Sequence, residues 1–304
     1  MSILEKLKLF FSKNHNSKII NECNIDLGAL EEKYRELLRN CISVEIGKNI
    51  EENPLMHFGG MPLAPKNFEW PYFETDSFDD STGKIKLRPL AFLAQFDCGK
   101  LVSYDKDNLL PHRGILSFFY SIESNRWGYD PKDEGCARVY WFENVNELIP
   151  APFPVDLAEK YRFPSLGIAL KQANSYPDYE NLPVKYNSDK YEQFFEALHV
   201  GDNDNISKLL GWADTIQSKM EPECELVGQG YYLGNSWDKI PQSVRDNAEY
   251  TSQEKWQLLF QLDTVESDNF ELMFGDCGRI YFWIRKEDLA NRRFDRVWLI
   301  LQCY

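Results

Sequence analysis

The chain has 304 residues, of which 43% are hydrophobic and 14% aromatic, and its formal net charge is -14. This composition supplies a folded core and excludes a chain that is disordered along its length. The negative charge repels phosphate backbones, so it argues against nucleic-acid binding and is compatible with a basic protein partner. No apolar stretch approaches the roughly 20 residues of a membrane helix, so we expect no stable membrane insertion.

Residues 1–50 are predicted to form an N-terminal helical segment. Apolar residues recur at helical spacing between Ile3 and Phe11, and again from Leu27 to Cys41. The start lacks the continuous apolar stretch and the cleavage site of a signal peptide. We therefore expect a cytoplasmic protein whose first helix docks on its body, with attachment to a membrane surface as the alternative.

Residues 51–175 are predicted to form a first repeat. It opens with a loop rich in glycine and proline, from Phe58 to Pro71, that is unsuited to a helix or an inner strand. Apolar runs with β-branched and aromatic residues then indicate strands. These predicted strands are Leu90–Phe96, Gly114–Ile122 and Ala137–Phe142.

Residues 176–304 are predicted to form a second repeat. A helix capped by Ser188 and ended by Gly201 is followed by a shorter helix at Ile206–Leu210. Strands are predicted after these helices, in a local run. They are Leu226–Leu233, Trp256–Leu262, Phe270–Phe274, Arg279–Ile284 and Val297–Cys303.

The two repeats are recognised from internal similarity. Glu134–Phe142 aligns without a gap on Gly275–Trp283, and Phe92–Asp97 resembles Leu258–Asp263. Copies of this kind usually pack into one body, so we expect one compact domain. With few helices between local runs of strands, the predicted fold class is α+β, internally duplicated, with mainly antiparallel β-sheets and N-terminal and connecting helices.

Polar side chains alternate with apolar ones in these strands, which suggests a binding surface. Because side chains alternate between faces, each copy would present an amide, a carboxylate, a guanidinium and a phenol on one side. Arginine suits carboxylate or phosphate groups, so a ligand-binding cleft between the copies is the hypothesis. Its residues are Gln95, Asp97, Arg138, Gln261, Asp263 and Arg279.

Each of these residues also has a purely structural interpretation. The arginines can pair with aspartates across neighbouring strands on a solvated face of the sheet. Asp276 is a further candidate ligand-binding residue, as a carboxylate beside Cys277 in a short segment between two strands. Aspartate and glycine are also common turn formers, which is the alternative for Asp276.

The sequence offers no recognisable catalytic, cofactor or metal motif. Seven scattered cysteines without a C-x-x-C indicate reduced, buried thiols. No histidine lies at metal-ligand spacing, so a metal site is not predicted, and no nucleotide-binding loop is present. A nucleophilic pair of Cys136 or Cys277 with a loop histidine, His57 or His112, stays open as a minor alternative.

Several blocks together resemble the signature of the YwqG-like family, a bacterial family of uncharacterised function. They cover most of residues 57–304 and include Phe58–Pro62, Glu69–Pro71, Leu90–Asp97, Gly114–Phe119 and Gly275–Trp283. The resemblance implies an internally duplicated α+β domain and brings no established reaction, cofactor or catalytic residue. Some members lie near secreted-toxin genes, which makes an immunity-like binding role a hypothesis.

These observations favour a module that binds another protein, one of basic charge being the natural complement. Loop aromatics such as Trp70, Trp127, Trp212 and Trp237 are suited to such contacts. A small-molecule-binding protein or hydrolase that uses the cleft between the repeats is the alternative. The sequence leaves the oligomeric state open.

Overall fold

The computed structural model describes residues 36–177, 206–235 and 237–304. The helices predicted near the N-terminus, up to residue 35, and after Ser188 lie outside the described residues. The statements below on secondary structure and contacts refer to these three ranges.

Strands dominate the described part of the chain, which contains sixteen strands and four α-helices. The strands are β1 (Arg39–Gly47), β2 (His57–Phe58), β3 (Leu63–Pro65), β4 (Tyr72–Thr75), β5 (Lys86–Pro89), β6 (Ala91–Asp97), β7 (Ile115–Tyr120), β8 (Ala137–Phe142), β9 (Leu148–Pro150), β10 (Leu166–Ser175), β11 (Lys208–Leu209), β12 (Trp256–Leu262), β13 (Val265–Ser267), β14 (Phe270–Leu272), β15 (Arg279–Arg285) and β16 (Trp298–Gln302). The helices are α1 (Cys98–Leu101), α2 (Met220–Gly228), α3 (Gln242–Lys255) and α4 (Lys286–Ala290). None of the described helices has the length and apolar character required to cross a membrane.

Ten of the strands form one antiparallel sheet, whose order is β16-β15-β12-β11-β1-β10-β2-β6-β7-β8. The pair β1–β10 lies at its centre, held over nine residue pairs from Arg39–Ser175 to Gly47–Gly167. Each side of this pair continues with a two-residue strand, β11 or β2, and then with three longer strands. The sheet therefore consists of two halves in which short and long strands follow in the same order.

The register of the strands extends this correspondence. β2 pairs with β6 at His57 and Gln95, whereas β11 pairs with β12 at Lys208 and Gln261. The next strand outward is β7 in one half and β15 in the other. The sheet thus matches β7 with β15 and β8 with β16, whereas the sequence alignment placed β8 on β15.

The sheet curls so that one face becomes the core of the protein. β6 and β12 are five strand positions apart, which would be about 24 Å in a flat sheet. The rings of Phe96 and Phe260 nevertheless lie 5.2 Å apart, and those of Phe118 and Phe260 lie 4.8 Å apart. The two halves therefore pack against each other through aromatic side chains on their inner faces.

A loop between β7 and β8 brings the two edges of the sheet together. The backbone N–H of Leu301 in β16 donates to the carbonyl of Trp127, at 3.0 Å, and the indole N–H of Trp298 donates to the carbonyl of Gly128. A Cβ at Gly128 would overlap the carbonyl of Leu299, and its φ of +79° also favours glycine. The sheet is nearly closed as a result.

The outer faces of the two halves carry different layers. Phe68, Trp70 and Phe73 pack on the β6–β7 face of the first half. The second half is covered by α2, whose Met220 and Cys224 contact Trp256 and other β12 and β15 side chains. In both halves the covering segment lies between the two-residue strand and the next long strand.

The prediction of an α+β fold is wrong, because the described residues are mostly β, with 35% in strands and 20% in helices. The region around Cys41 was predicted to continue a helix, yet it belongs to β1, where Ile42, Val44 and Ile46 are buried at alternate positions. An i, i+3, i+4 pattern that ends at Cys41 overlapped this period-two pattern. The central strand β1 was thereby missed, and with it the mostly β character of the fold.

Two further elements differ from the sequence prediction. Lys208–Leu209 forms β11 and not the predicted helix at Ile206–Leu210. The predicted strand at Leu226–Leu233 begins inside helix α2, in which every residue from Met220 to Val227 is buried. Because the three glutamates of α2 are buried together with its apolar residues, the helix lacks the separation of polar and apolar faces on which the prediction depends. The strands predicted at Leu90–Phe96, Ala137–Phe142 and Trp256–Leu262 are confirmed within one residue.

Helix α2 places an uncompensated carboxyl group in the protein interior. Glu223 is only 4% exposed, its Oε1 accepts from the Ser218 hydroxyl at 2.6 Å, and its Oε2 is buried without a hydrogen-bond partner. Burial raises the pKa of this carboxyl from 4.5 to about 7. The folded state therefore favours the protonated form at pH values where the unfolded state is ionised.

Glu223→Gln is expected to stabilise the protein at pH 8 by about 3 kcal/mol and to have little effect near pH 4. The unfolded carboxyl ionises above its ordinary pKa of 4.5, whereas the folded one stays protonated up to about 7. Stability is therefore lost as the pH rises through this window, and glutamine removes the loss. Urea unfolding at several pH values tests this, with Glu249→Gln on α3, whose side chain is 54% exposed, as the control. The same pH dependence in wild type and Glu223→Gln would contradict the assignment.

Candidate functional site

The two glutamines predicted to bind a ligand, Gln95 and Gln261, form hydrogen bonds with the backbone inside the protein. The Gln95 Oε1 accepts from the backbone N–H of Leu63 at 2.9 Å, and its Nε2 donates to the carbonyl of Pro54 at 2.8 Å. The Gln261 Oε1 accepts in the same way from the N–H of Asp214 at 2.9 Å. Both glutamines are completely buried. They fix the chain that follows β2 and β11 to the sheet.

Three of the predicted residues come together in the second half. The Arg279 Nε donates to the Asp263 Oδ2 at 3.1 Å, next to Gln261 on the same face. The Gln261 Nε2 also donates to the Asp214 Oδ2 at 2.8 Å, and Asp214 forms an ion pair with Lys208. Buried partners thus surround these groups, and the network links β11, β12 and β15.

The remaining predicted residues lie elsewhere. Asp97 ends β6, where its carboxylate accepts from the backbone N–H of Gly99 at 2.9 Å and caps α1. Asp276 is exposed in the turn before β15. Arg138 projects from the outer face of β8 into a large surface cleft. The structure therefore brings Gln261, Asp263 and Arg279 together but separates Gln95, Asp97, Arg138 and Asp276 from them.

A β-bulge alters the faces that strict alternation assigns. In both halves the ladder shifts by one residue, between Phe92 and Ala94 in β6 and between Leu258 and Phe260 in β12. Phe92 and Leu258 therefore turn to the outer face with the glutamines, while Phe260 stays in the core. Aromatic rings fill the space between the inner faces of the halves, and the Gln–Asp pairs lie on the outside.

Cys136 and His57 lie in environments that do not favour a nucleophilic pair between them. Cys136 is buried, and burial raises the pKa of its thiol well above the ordinary value. The His57 Nδ1–H donates to the carbonyl of Gly59 at 2.7 Å, and burial lowers the pKa of this ring. No group of three or more histidine, cysteine, aspartate or glutamate side chains in the described ranges could hold a metal ion.

A cleft rich in carboxylates and aromatic rings opens where the β7–β8 loop meets the end of β4. It has a volume of about 390 Å³, and we call it the acidic–aromatic cleft. Two of its aromatic side chains project into solvent, since Phe78 is 74% exposed and Tyr232 is 50% exposed. Its lining includes Asp76, Ser77, Phe78, Ser124, Asn125, Arg126, Trp127, Tyr129, Asp130, Asp133, Tyr232 and Gly234.

The turn Asp130–Asp133 shapes one wall of this cleft. The Asp130 carboxylate accepts from the backbone N–H of Lys132 at 2.9 Å and begins a 3₁₀ turn with Pro131 at its first position. The Asp133 Oδ2 accepts from the backbone N–H of Gly128 at 3.1 Å. These bonds fix both carboxyl groups to the loop that closes the sheet, so the wall is rigid.

Electrostatics in the acidic–aromatic cleft are dominated by negative charge. Asp76, Asp130 and Asp133 face a single lining arginine, Arg126, which forms an ion pair with Asp76 and lies 3.9 Å from Asp133. Burial raises the pKa of Asp133, and Arg126 offsets part of that rise. The Asp76 side chain is 49% exposed, so its charge faces the cleft opening as well as Arg126.

The sequence identifies only one residue of this cleft. Trp127 stands out as a loop aromatic, but Asp76, Asp130 and Asp133 do not. The signal that could have found them is local: Asp130 precedes Pro131 and is followed three residues later by Asp133, which is a capping pattern on a short turn. Nothing in the sequence places Asp76 beside this turn.

Comparison with known proteins gives a family and no activity. A family model described as a domain of unknown function, DUF1963, matches residues 57–303, from the start of β2 to the residue after β16. No curated protein matches the chain. The match covers every strand of the ten-stranded sheet except β1, and it covers both walls of the acidic–aromatic cleft.

Proposed function

We propose that this chain, which belongs to the DUF1963 family of domains of unknown function, is a protein-binding module. Its partner presents a basic side chain, flanked by apolar surface, to the acidic–aromatic cleft. The observation that carries the proposal is the combination of three carboxylates with two solvent-exposed aromatic side chains in one cleft. The YwqG-like resemblance is compatible with this family. It adds the hypothesis that the protein-binding role is immunity-like.

Cation recognition is the chemistry that such a cleft suits best. A lysine or arginine side chain gains from a neighbouring carboxylate and from the face of an aromatic ring, and these contributions strengthen when water is displaced. Exposed aromatic residues are also enriched among residues that dominate protein interfaces. Phe78 and Tyr232 lie at opposite ends of the lining in sequence, so a bound segment would contact both halves of the chain.

The charge of the whole chain supports the same partner class. A net charge of -14 attracts basic proteins over distances comparable to the Debye length, about 8–10 Å at moderate salt. Such steering increases association rates more than it increases affinity. We propose that this partner is a cytoplasmic protein.

We also propose that the two halves of the sheet arose as copies of one unit. The order of strands about β1–β10 and the equal positions of the bulges in β6 and β12 support this. In this assignment Gly114–Tyr120 corresponds to Gly278–Ile284. Only the first half carries the β7–β8 loop with the acidic turn, so the acidic–aromatic cleft has no counterpart at the same position.

The proposal is tested by quantitative capture of partners with the tagged full-length chain. We expect Asp76→Asn combined with Asp130→Asn to reduce recovery of a basic protein about 10-fold, because two charge-assisted contacts are removed. Asparagine keeps the capacity to cap the turn at position 130. Recovery is measured by mass spectrometry from the cell lysate against a tag-only sample.

A matched control separates the cleft from the overall charge. Asp107→Asn combined with Asp246→Asn changes the net charge equally at two exposed positions outside the cleft. This variant is expected to recover the same protein as the wild type. Equal losses in both double variants would show that only net charge matters and would overturn the proposal, as would the absence of any captured basic protein.

A further inference from the structure

A second cleft lies on the other side of the Asp130–Asp133 turn, and its lining contains four arginines. It has a volume of about 830 Å³, within the range of small-molecule sites. We call it the arginine cleft. Its charged lining residues are Glu134, Arg138, Arg285, Asp288, Arg293, Asp295 and Arg296.

Two of the arginines are held by carboxylates. The Arg285 Nη1 lies 2.9 Å from the Glu225 Oε2, and its guanidinium lies 4.6 Å from the ring centroid of Trp256. The Arg293 Nε lies 2.6 Å from the Asp288 Oδ1. These pairs fix the positions of both guanidinium groups, and each keeps further N–H donors that can point into the cleft.

The other two arginines, Arg138 and Arg296, are not held by a carboxylate from another part of the chain among the described residues. Within the described ranges, Arg138 forms no ion pair and no side-chain hydrogen bond. Among the described residues, Arg296 forms an ion pair only with its sequence neighbour Asp295, at 3.6 Å, and its side chain is 65% exposed. A half-buried guanidinium without a carboxylate is unusual, because removing such a group from water without a partner costs free energy. An external anion would provide that partner.

The backbone next to Arg138 leaves room for its guanidinium. Gly135 has a φ of +94°, and a Cβ there would lie 2.7 Å from the Arg138 Nη2. The absence of a side chain at this position lets the guanidinium lie against the turn. Arg138 is therefore held at the cleft wall by the shape of the backbone and not by an opposite charge.

Tryptophans complete the arginine cleft. Trp256 and Trp298 both line it, and the Trp298 indole N–H donates to the carbonyl of Gly128 at 3.0 Å. Aromatic walls beside arginines provide stacking surface and exclude water, which strengthens charge-assisted hydrogen bonds. The three lining carboxylates limit the net positive charge, so a compact anion with a few charges fits better than a polymeric one such as a nucleic acid.

We infer that the arginine cleft binds a small ligand with phosphate or carboxylate groups, held by Arg138 and Arg296 and positioned by Arg285 and Arg293. Arginine is the side chain best matched to planar or tetrahedral oxyanions, because its N–H donors form a fork. The inference goes beyond the proposed protein-binding function, since it concerns a different cleft and a different class of ligand.

The test is isothermal titration of the full-length chain with pyrophosphate and, separately, with citrate at constant ionic strength. At least one of the two is expected to bind saturably with a stoichiometry of one. Binding of pyrophosphate alone would assign the phosphate class, and binding of citrate alone would assign the carboxylate class. Arg138→Ala combined with Arg296→Ala should weaken that binding at least about 10-fold, because two charged donors are lost.

The control is Arg113→Ala, an arginine that is 76% exposed and lies outside the cleft. It should bind the same probe with unchanged affinity. Far-UV circular dichroism and thermal unfolding establish that the double variant is folded, and folding is expected because neither arginine contributes a buried pair. Heats no larger than those of added chloride, or equal affinity in the double variant and the wild type, would overturn the inference.

Discussion

Phe260→Ala is expected to lower the free energy of unfolding by about 3–5 kcal/mol, as large core aromatics do when truncated. Phe260 is fully buried, and its ring lies within 6.0 Å of the rings of Phe96, Phe118 and Phe282. These neighbours come from both halves of the sheet. The cavity would therefore weaken the contact that keeps the two halves together as well as the core of one half.

Urea denaturation followed by tryptophan fluorescence and by circular dichroism measures this loss. Phe78→Ala is the control, since Phe78 is 74% exposed and its truncation should change stability by less than about 0.5 kcal/mol. If the halves were independent units, the two probes would give separate transitions. A loss below about 1 kcal/mol for Phe260→Ala would contradict the packing described for the inner faces.

Arg279→Ala is expected to destabilise the protein by about 3–4 kcal/mol, whereas Arg138→Ala should cost less than about 0.5 kcal/mol. Arg279 is the charged partner of Asp263, whose side chain is only 8% exposed, so its removal leaves a buried carboxylate without its ion pair. Arg138 has no such partner among the described residues. From the sequence, both arginines were predicted to line one ligand-binding cleft. In the structure, Arg279 forms a buried ion pair, whereas Arg138 lines a surface cleft.

A double-mutant cycle resolves the Arg279 contribution. Asp263→Ala combined with Arg279→Ala should be less destabilising than the sum of the single changes, because the second change removes the unpaired charge. The free energies are measured by urea unfolding at pH 7. Additive losses, or equal losses for Arg279→Ala and Arg138→Ala, would show that the Asp263–Arg279 pair is not coupled as its 3.1 Å distance indicates.

Local patterns were enough to locate most of the long strands that flank the core. β6, β8 and β12 combine apolar and aromatic residues in runs bounded by turns, and the predicted limits differ from the observed ones by at most one residue. Their hydrogen-bonding neighbours also lie close in sequence, as in β6–β7 and β7–β8. Such strands are determined by short segments, so a single sequence contains the information.

The centre of the sheet depends on contacts between distant segments. β1 pairs with β10 across more than a hundred residues, and β2 and β11 contain only two residues each. A two-residue strand has no periodicity to detect. The bulges in β6 and β12 likewise cannot be read from alternation, because an inserted residue reverses the faces of everything that follows.

The candidate sites were only partly accessible from sequence for the same reason. The pairing of Asp263 with Arg279 follows from the antiparallel contact of β12 with β15, and the sequence predicted both residues. The acidic–aromatic cleft joins Asp76, Asp130 and Tyr232, which are far apart in sequence. Only the curled sheet and its closing loop bring these side chains into one surface.

Site-specific photo-crosslinking shows whether the acidic–aromatic cleft binds a basic protein. A photoreactive residue in place of Phe78, at the rim of the acidic–aromatic cleft, is compared with one in place of Tyr250 on α3, which is 82% exposed and does not line the cleft. We expect one dominant partner, crosslinked from position 78 and not from position 250, through a peptide that contains lysine or arginine. The same crosslinks from both positions, or crosslinked peptides without basic residues, would contradict it.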